Sequence, residues 1–236
     1  MTSAFAPNGE LWRVWAYQKK MYYQISKDLG QQFGPVQQVN IEPEKISARN
    51  ENRPKIGFDG KSGQERGVYL SWASPLEKRF TSNIRFTYSA DYGHHFEEPV
   101  TVNDDGLVTG HSFNEMHVNE NGEVALVWLD SRLRFRAQKE GKKQQGKEIK
   151  GSALFHGLAN PRGNASFRFS NEMLANDTCV CCRISMDVNQ QGNLAIFWRH
   201  IFGDNIREFA LLTLNEDKEL TRISHDLWKI DGCPHQ

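Results

Sequence analysis

Residues 124–130 read Val-Ala-Leu-Val-Trp-Leu-Asp, a short apolar run carrying Trp128 directly after the turn signal Asn121-Gly122. Three other runs have the same form: LWRVWA with Trp15, VYLSWA with Trp72 and LAIFWRH with Trp198. Those of Trp15 and Trp198 also follow turn signals, Pro7-Asn8-Gly9 and Gln191-Gly192. The tryptophans are spaced by 57, 56 and 70 residues. A shorter alternating run precedes each (SAFAP, RPKIGFD, NEMHVNE, CRISMDVN), and a third follows each (MYYQIS, IRFTYS, SALFHGL, EFALLTLN). In the first two units PVQQVN or PVTVN supplies a fourth. Short alternating runs between Gly/Asn turns are strand signals, and no amphipathic helix stands out. Four strands in about 55 residues suit a propeller blade, with an irregular antiparallel sandwich as the alternative. The reading is an all-β propeller of four-stranded antiparallel blades, placed at about 3–40, 52–103, 112–176 and 178–231. The insertion AQKEGKKQQGKEIKG has no apolar periodicity and reads as a solvated loop.

Composition narrows the function classes. The 236 residues hold 29 basic and 29 acidic side chains, so no general attraction to nucleic acid or anionic membrane is expected. Aromatics reach 11%, too many for a disordered chain. No apolar run is long enough to span a bilayer. The opening MTSAFAPNGELW lacks the basic and apolar blocks of a secretory leader.

Two turns share one pattern in register. Ser26-Lys-Asp28-Leu-Gly30-Gln-Gln-Phe33 follows the third run of the first unit, and Ser89-Ala-Asp91-Tyr-Gly93-His-His-Phe96 occupies the same place in the second. The aspartate can accept backbone N–H bonds within the turn, the glycine supplies positive φ, and the aromatic ring packs the turn down. The pattern resembles the Asp-box, or bacterial neuraminidase repeat, and more broadly the sialidase-like β-propellers. The third unit keeps only a degenerate copy around Asn160–Phe167. That resemblance implies a six-bladed fold of which about four blades are present, the end near Trp228 reading as a fifth strand cut short. It implies that Asp28 and Asp91 are structural, away from any catalytic mouth. Open blade edges would permit self-association.

The resemblance also implies an arginine triad for a substrate carboxylate, an acid/base aspartate and a tyrosine nucleophile assisted by glutamate. Arg53, Arg132, Arg183 and Arg199, with His111, are the ligand-binding candidates. Glu115 and Asp130 are the catalytic candidates, Glu115 being read as pairing with an arginine in preference to acting as a base. The usual Phe/Tyr-Arg-Ile-Pro motif is absent, Asn52-Arg53-Pro54 being only loosely similar, so turnover is left open. Arg53, Glu115, Arg183 and the cysteine segment should converge on one mouth, because all precede or begin an innermost strand. The four cysteines lie in two such approaches, Cys179-x-Cys181-Cys182 and Cys233, the latter near His235. An interblade disulfide, reduced thiols and a thiolate metal site are the options; no metal or cofactor is assigned. Asn164 and Asn176 begin glycosylation acceptor patterns. The expected ligand is a carbohydrate or small anion, with a non-catalytic scaffold for a protein or glycan partner, or a metal-thiolate redox protein, as alternatives. Family and cysteines together suggest an extracellular or periplasmic setting.

Overall fold

The computed structural model describes residues 1–48, 52–140, 151–161, 168–214 and 218–230. The chain is nearly all strand, laid down as successive antiparallel meanders. The first comprises β1 (Thr2–Phe5), β2 (Leu11–Tyr17), β3 (Lys20–Ser26) and β4 (Gln37–Gln38), and forms its own sheet. The second comprises β5 (Lys55–Phe58), β6 (Val68–Pro75), β7 (Ser82–Ser89) and β8 (Val100–Thr101), again a separate sheet. The third run is β9 (His111–Val118), β10 (Val124–Asp130), β11 (Ser152–Ala159) and β12 (Ser170–Thr178). The fourth is β13 (Ser185–Val188), β14 (Leu194–Phe202), β15 (Ile206–Thr213) and β16 (Leu220–Arg222). These last two merge through one pairing, Thr178 of β12 with His200 of β14. None of the sheets closes on itself.

The turns explain the meander. Asn119 Oδ1 accepts the backbone N–H groups of Asn121 and Glu123, and the Gly122 N–H reaches the Asn119 carbonyl at 3.0 Å. Asn189 does the same for Gln191, Gly192 and Asn193. Gly122 and Gly192 sit at φ +82° and +81°, a conformation that a Cβ resists. An Asn-x-x-Gly turn therefore folds locally and sets the register of the strands it joins.

Packing runs between sheets. Each tryptophan-bearing strand turns its fifth residue back toward the preceding meander. Trp72 lies in a cluster with Trp12, Val14 and Met21; Trp128 joins Tyr69, Ile84 and Phe86; Trp198 joins Val127, Leu129 and Leu154. All three rings are buried. Trp15 occupies the same strand position but is only half-buried, stacked on Tyr22 with ring centroids 5.9 Å apart. This corrects the expectation of four equivalent tryptophans. The face carrying Trp15 meets no other sheet among the described residues, and Trp12, three residues earlier and on the other face, fills the joint with the second meander.

The innermost strands run side by side in the same direction. Lys55 of β5 pairs with Glu115 of β9, and two residues on, Gly57 faces Val118 so closely that an added Cβ would lie 2.8 Å from its Cγ2. Arg183 and Asp187, before and on β13, follow Glu115 and His117 of β9 in the same order. Their starts therefore share one face of the molecule.

A helix, α1 (Arg132–Glu140), begins before the insertion and takes in its first four residues, Ala137–Glu140, which were expected to be solvated loop. Leu133 anchors it in the second core cluster, and the Phe135 N–H donates to the Ser131 carbonyl. The rest of the insertion lies outside the described residues, as do the degenerate turn's residues 162–167 and Asn164, and Cys233 and His235. No helix among the described residues is long and apolar enough to cross a membrane.

Trp128→Ala should lower unfolding free energy by about 3–5 kcal/mol, the usual cost of truncating a buried large ring. Trp15→Ala should cost less, about 1–2 kcal/mol, because its ring is only partly buried and packs on Tyr22 with no other sheet against it among the described residues. Denaturant unfolding of the two variants checks the ranking; equal losses would contradict the one-sided packing.

Candidate functional site

The shared face at which the inner strands begin brings Lys55, Glu115, Arg53 and Arg183 into electrostatic reach of one another. Glu115 lies on β9 itself and not in the segment before it, because the strand begins at His111. Its carboxylate bonds the Lys55 ammonium from the neighbouring inner strand, with the two side chains 24% and 13% exposed. Arg183 and Arg53 add positive potential from further away. Burial still dominates and holds the Glu115 carboxyl above its ordinary pKa, while Lys55, Arg183 and Arg53 pull the other way. Arg53 also donates from Nη1 to the Met1 carbonyl at 3.2 Å, so the start of β1 reaches the same place. The result is one half-buried carboxylate bonded to a lysine, with two arginines within electrostatic reach. Lys55, its direct partner, was missed in the sequence; the alternation of Lys55-Ile-Gly-Phe58 sets it on the face opposite the buried Ile56 and Phe58 but does not name its partner on β9.

His111, Asp130 and Arg132 belong elsewhere. His111 is fully buried, with Nδ1 2.7 Å from the Ser82 carbonyl and Nε2 3.1 Å from Asp105 Oδ2. Asp130 accepts from Trp128 Nε1 at 2.9 Å and from Arg132 Nε at 3.0 Å. Arg132 reaches Asp104 at 2.6 Å and lies 4.1 Å over the Phe155 ring. Both ring nitrogens of His111 face acceptors, which selects the imidazolium. Burial opposes that charge, but the Asp105 hydrogen bond and the charges of Asp130 and Asp105 outweigh it and raise the pKa. Burial likewise opposes the Asp105 carboxylate, yet His111 and Arg132 bring its pKa to about 2. Oxygen and nitrogen atoms of Asp105, His111 and Asp130 lie within 4.8 Å of one another, as metal ligands would. Arg132 already supplies the counter-charge, so this set suits an ion-pair network fixing β8, β9 and β10 together. Asp104 and Asp105 were read past in the sequence because Asn103-Asp-Asp-Gly106 looks like an ordinary turn.

Arg199 also lies apart from the Glu115 group. It sits on the face of β14 opposite Trp198, between Phe209 at 4.7 Å and Trp228 at 4.5 Å. Burial and Arg207 lower its pKa.

The two Ser-x-Asp-x-Gly turns are superposable in their bonding. Ser26 Oγ donates to Asp28 Oδ1 and accepts from Gly30 N–H; Asp28 Oδ1 accepts from Gln32 N–H at 2.9 Å. Ser89, Asp91, Gly93 and His95 repeat each contact, with Gly93 at φ +85°. Phe33 lies against the Arg13 guanidinium at 3.7 Å, and Phe96 packs in the first core cluster. Tyr92 and Gly93 reach the first meander through Glu10 and the Tyr23 hydroxyl. Both turns lie at the far end of the third strand, away from the mouth. Cys179 and Cys182 form a disulfide with Cα atoms 5.5 Å apart, bridging the β12–β13 connection within one segment.

No protein-family model matches the chain, and no curated protein matches it in sequence. Solved structures do match in fold. A GH93 α-L-arabinofuranosidase of Fusarium graminearum complexed with arabinobiose is 13% identical, with a TM-score of 0.58, covering 94% of this chain and 65% of that one. A PL25 ulvan lyase bound to -[GlcA(1-4)Rha3S]- is 11% identical, with a TM-score of 0.51, covering 94% and 54%. A GH43 glycoside hydrolase with engineered endo-xylanase and exo-arabinofuranosidase activity is 8% identical, with a TM-score of 0.51, covering 96% and 40%. These neighbours are propeller-type carbohydrate-active enzymes. The chain spans about two thirds of the arabinofuranosidase and less of the other two.

The buried network predicts stability falling at both ends of the pH scale. His111, raised in the folded state, stabilises fully below its unfolded value of about 6.5 and loses that contribution as pH rises through its folded value. Asp105, depressed to about 2, stabilises above its unfolded value of about 3.9 and loses that contribution as pH falls toward 2. Thermal melts across pH should show the alkaline decline in the native chain. His111→Gln should melt lower at neutral pH, by about 3 kcal/mol in unfolding free energy because Asp105 loses its partner, and should lose much of that decline.

Proposed function

We propose that this chain is a sialidase-like propeller of four-stranded Asp-box blades that binds anionic carbohydrate at its channel mouth. The observation carrying this reading is the grouping of Lys55, Arg53 and Arg183 around one half-buried glutamate, contributed by neighbouring inner strands. A sugar carboxylate or sulfate would meet guanidinium and ammonium groups there. Glu115, whose carboxyl burial holds above its ordinary pKa, is the group there that would exchange a proton with a ligand oxygen or a leaving group. Carbohydrate-active neighbours sharing the fold support the sugar class. Sialic acid as the particular ligand rests on the turn motif alone. The Cys179–Cys182 bridge favours an oxidising compartment.

The test is calorimetric titration with N-acetylneuraminic acid, digalacturonic acid and neutral galactobiose, beside turnover of fluorogenic sialosides and arabinofuranosides. The acidic sugars should bind and the neutral one should not. Lys55→Met should weaken binding about tenfold, corresponding to loss of one charge-assisted contact. Equal binding of neutral and acidic sugars, or an unaffected Lys55→Met variant, would overturn the reading.

A further inference from the structure

The hairpin between β6 and β7 and helix α1 leave the sheets on the same face as Glu115, because both follow the ends of second strands, where β9 begins. Gly110 lies between the base of one and the foot of the other. An added Cβ on Gly110, the residue before β9, would lie 3.1 Å from the Phe80 carbonyl and 3.2 Å from Ser131 Oγ, at the foot of α1. The hairpin tip is Lys78-Arg79-Phe80, fixed by Leu76 N–H to Thr81 carbonyl at 2.9 Å and Thr81 Oγ1 to Lys78 carbonyl at 2.6 Å. Phe80 is 84% exposed at φ +63°, and the Arg79 guanidinium covers one side of its ring at 4.6 Å. A rigid tip that holds a large aromatic ring in water, in a conformation a phenylalanine resists, is an arrangement for contact with something outside. Beside it α1 exposes Arg134, Arg136 and Lys139, whereas the exposed charges on the far-face turns are mostly acidic, Glu65, Glu120 and Glu123 among them. Glu77 is the acidic side chain on the hairpin itself.

We infer that this hairpin and helix form an outer subsite, so that the ligand is an anionic polysaccharide chain running from the Glu115 group across the rim. The inference rests on the proposed carbohydrate reading of the mouth. Its chemistry is paired: the open side of Phe80 stacks on the C–H face of a sugar ring, and Arg79, Arg134 and Arg136 meet carboxylates or sulfates on successive units. A nucleic acid would satisfy the cations, but one exposed ring with no second ring beside it among the described residues gives a poor stacking track for successive bases.

The experiment measures affinity of the full chain for oligogalacturonates from the disaccharide to the octasaccharide. A sulfated octasaccharide, maltooctaose and a single-stranded oligonucleotide of equal charge are run beside them. Affinity should climb with oligogalacturonate length. Arg79→Glu with Arg134→Glu should reduce octasaccharide affinity about tenfold or more, the sum of several exposed charge contacts. The same change should leave the disaccharide unaltered. Phe80→Ala should flatten the climb without changing the net charge, and circular dichroism confirms that each variant is folded. The carboxylated and sulfated octasaccharides show which anion the rim prefers. If no acidic sugar binds, the mouth reading itself fails. If the disaccharide binds but length adds nothing, or the rim variants match the native chain, the outer subsite is overturned while the mouth reading stands. An oligonucleotide that binds as tightly as the octasaccharide overturns the sugar assignment of the rim.

Discussion

Each meander after the first buries a tryptophan against the meander before it, and that contact organises the rest of the molecule. Burial of an indole removes on the order of 150–250 Å² from water, more than any other single side chain can at such a joint. Because Trp72, Trp128 and Trp198 sit at the same place in their strands, successive meanders stack with the same offset. The same offset brings the inner strands alongside one another in parallel. The Lys55–Glu115 pair is a by-product of this stacking: two residues from different sheets become neighbours only because the joints repeat.

The charge arrangement follows from the same geometry. Net charge is zero over the whole chain, yet the connections at the two ends of the strands differ in sign. A composition average conceals this, since a meander assigns alternate connections to opposite faces. The buried Asp105–His111–Asp130–Arg132 network lies just beneath the cationic face. It uses carboxylates to tie three strands together, leaving the outer arginines of α1 to water.

Much of the fold was legible because it depends on local signals. Asn-Gly turns, alternation and the position of each tryptophan are all read within a few residues. The first strand of each meander was legible from its place in the repeat. What escaped depends on pairing across distance. Nothing local distinguishes Lys55 from any other strand lysine, or separates His111, which is sealed in, from a histidine lining an opening. Trp15 was misjudged for the same reason: its strand looks like the others, and its burial is decided by what stands opposite. The helix after Asp130 escaped because its apolar positions, Leu133 and Phe135, are too few to show a period amid arginine and lysine.

The single Thr178–His200 pairing has a consequence for how the molecule breathes. It joins the third and fourth meanders through the backbone, and the Cys179–Cys182 bridge stiffens the connection just beyond it. The joint of the second and third meanders is crossed by backbone bonds as well, from Gly60 N–H to the Glu120 carbonyl and from Ser82 N–H to the Thr109 carbonyl, each 3.0 Å. The first meander meets the second largely through side chains, Tyr23, Glu10 and Asn40 among them. Transient opening should therefore divide the chain unevenly, the last three meanders exchanging amide protons as one cooperative block and the first separating from them. Lys55, Glu115 and Arg183 lie within that block, whereas Arg53 reaches across the seam to the Met1 carbonyl, so the softest seam of the scaffold passes beside the candidate site.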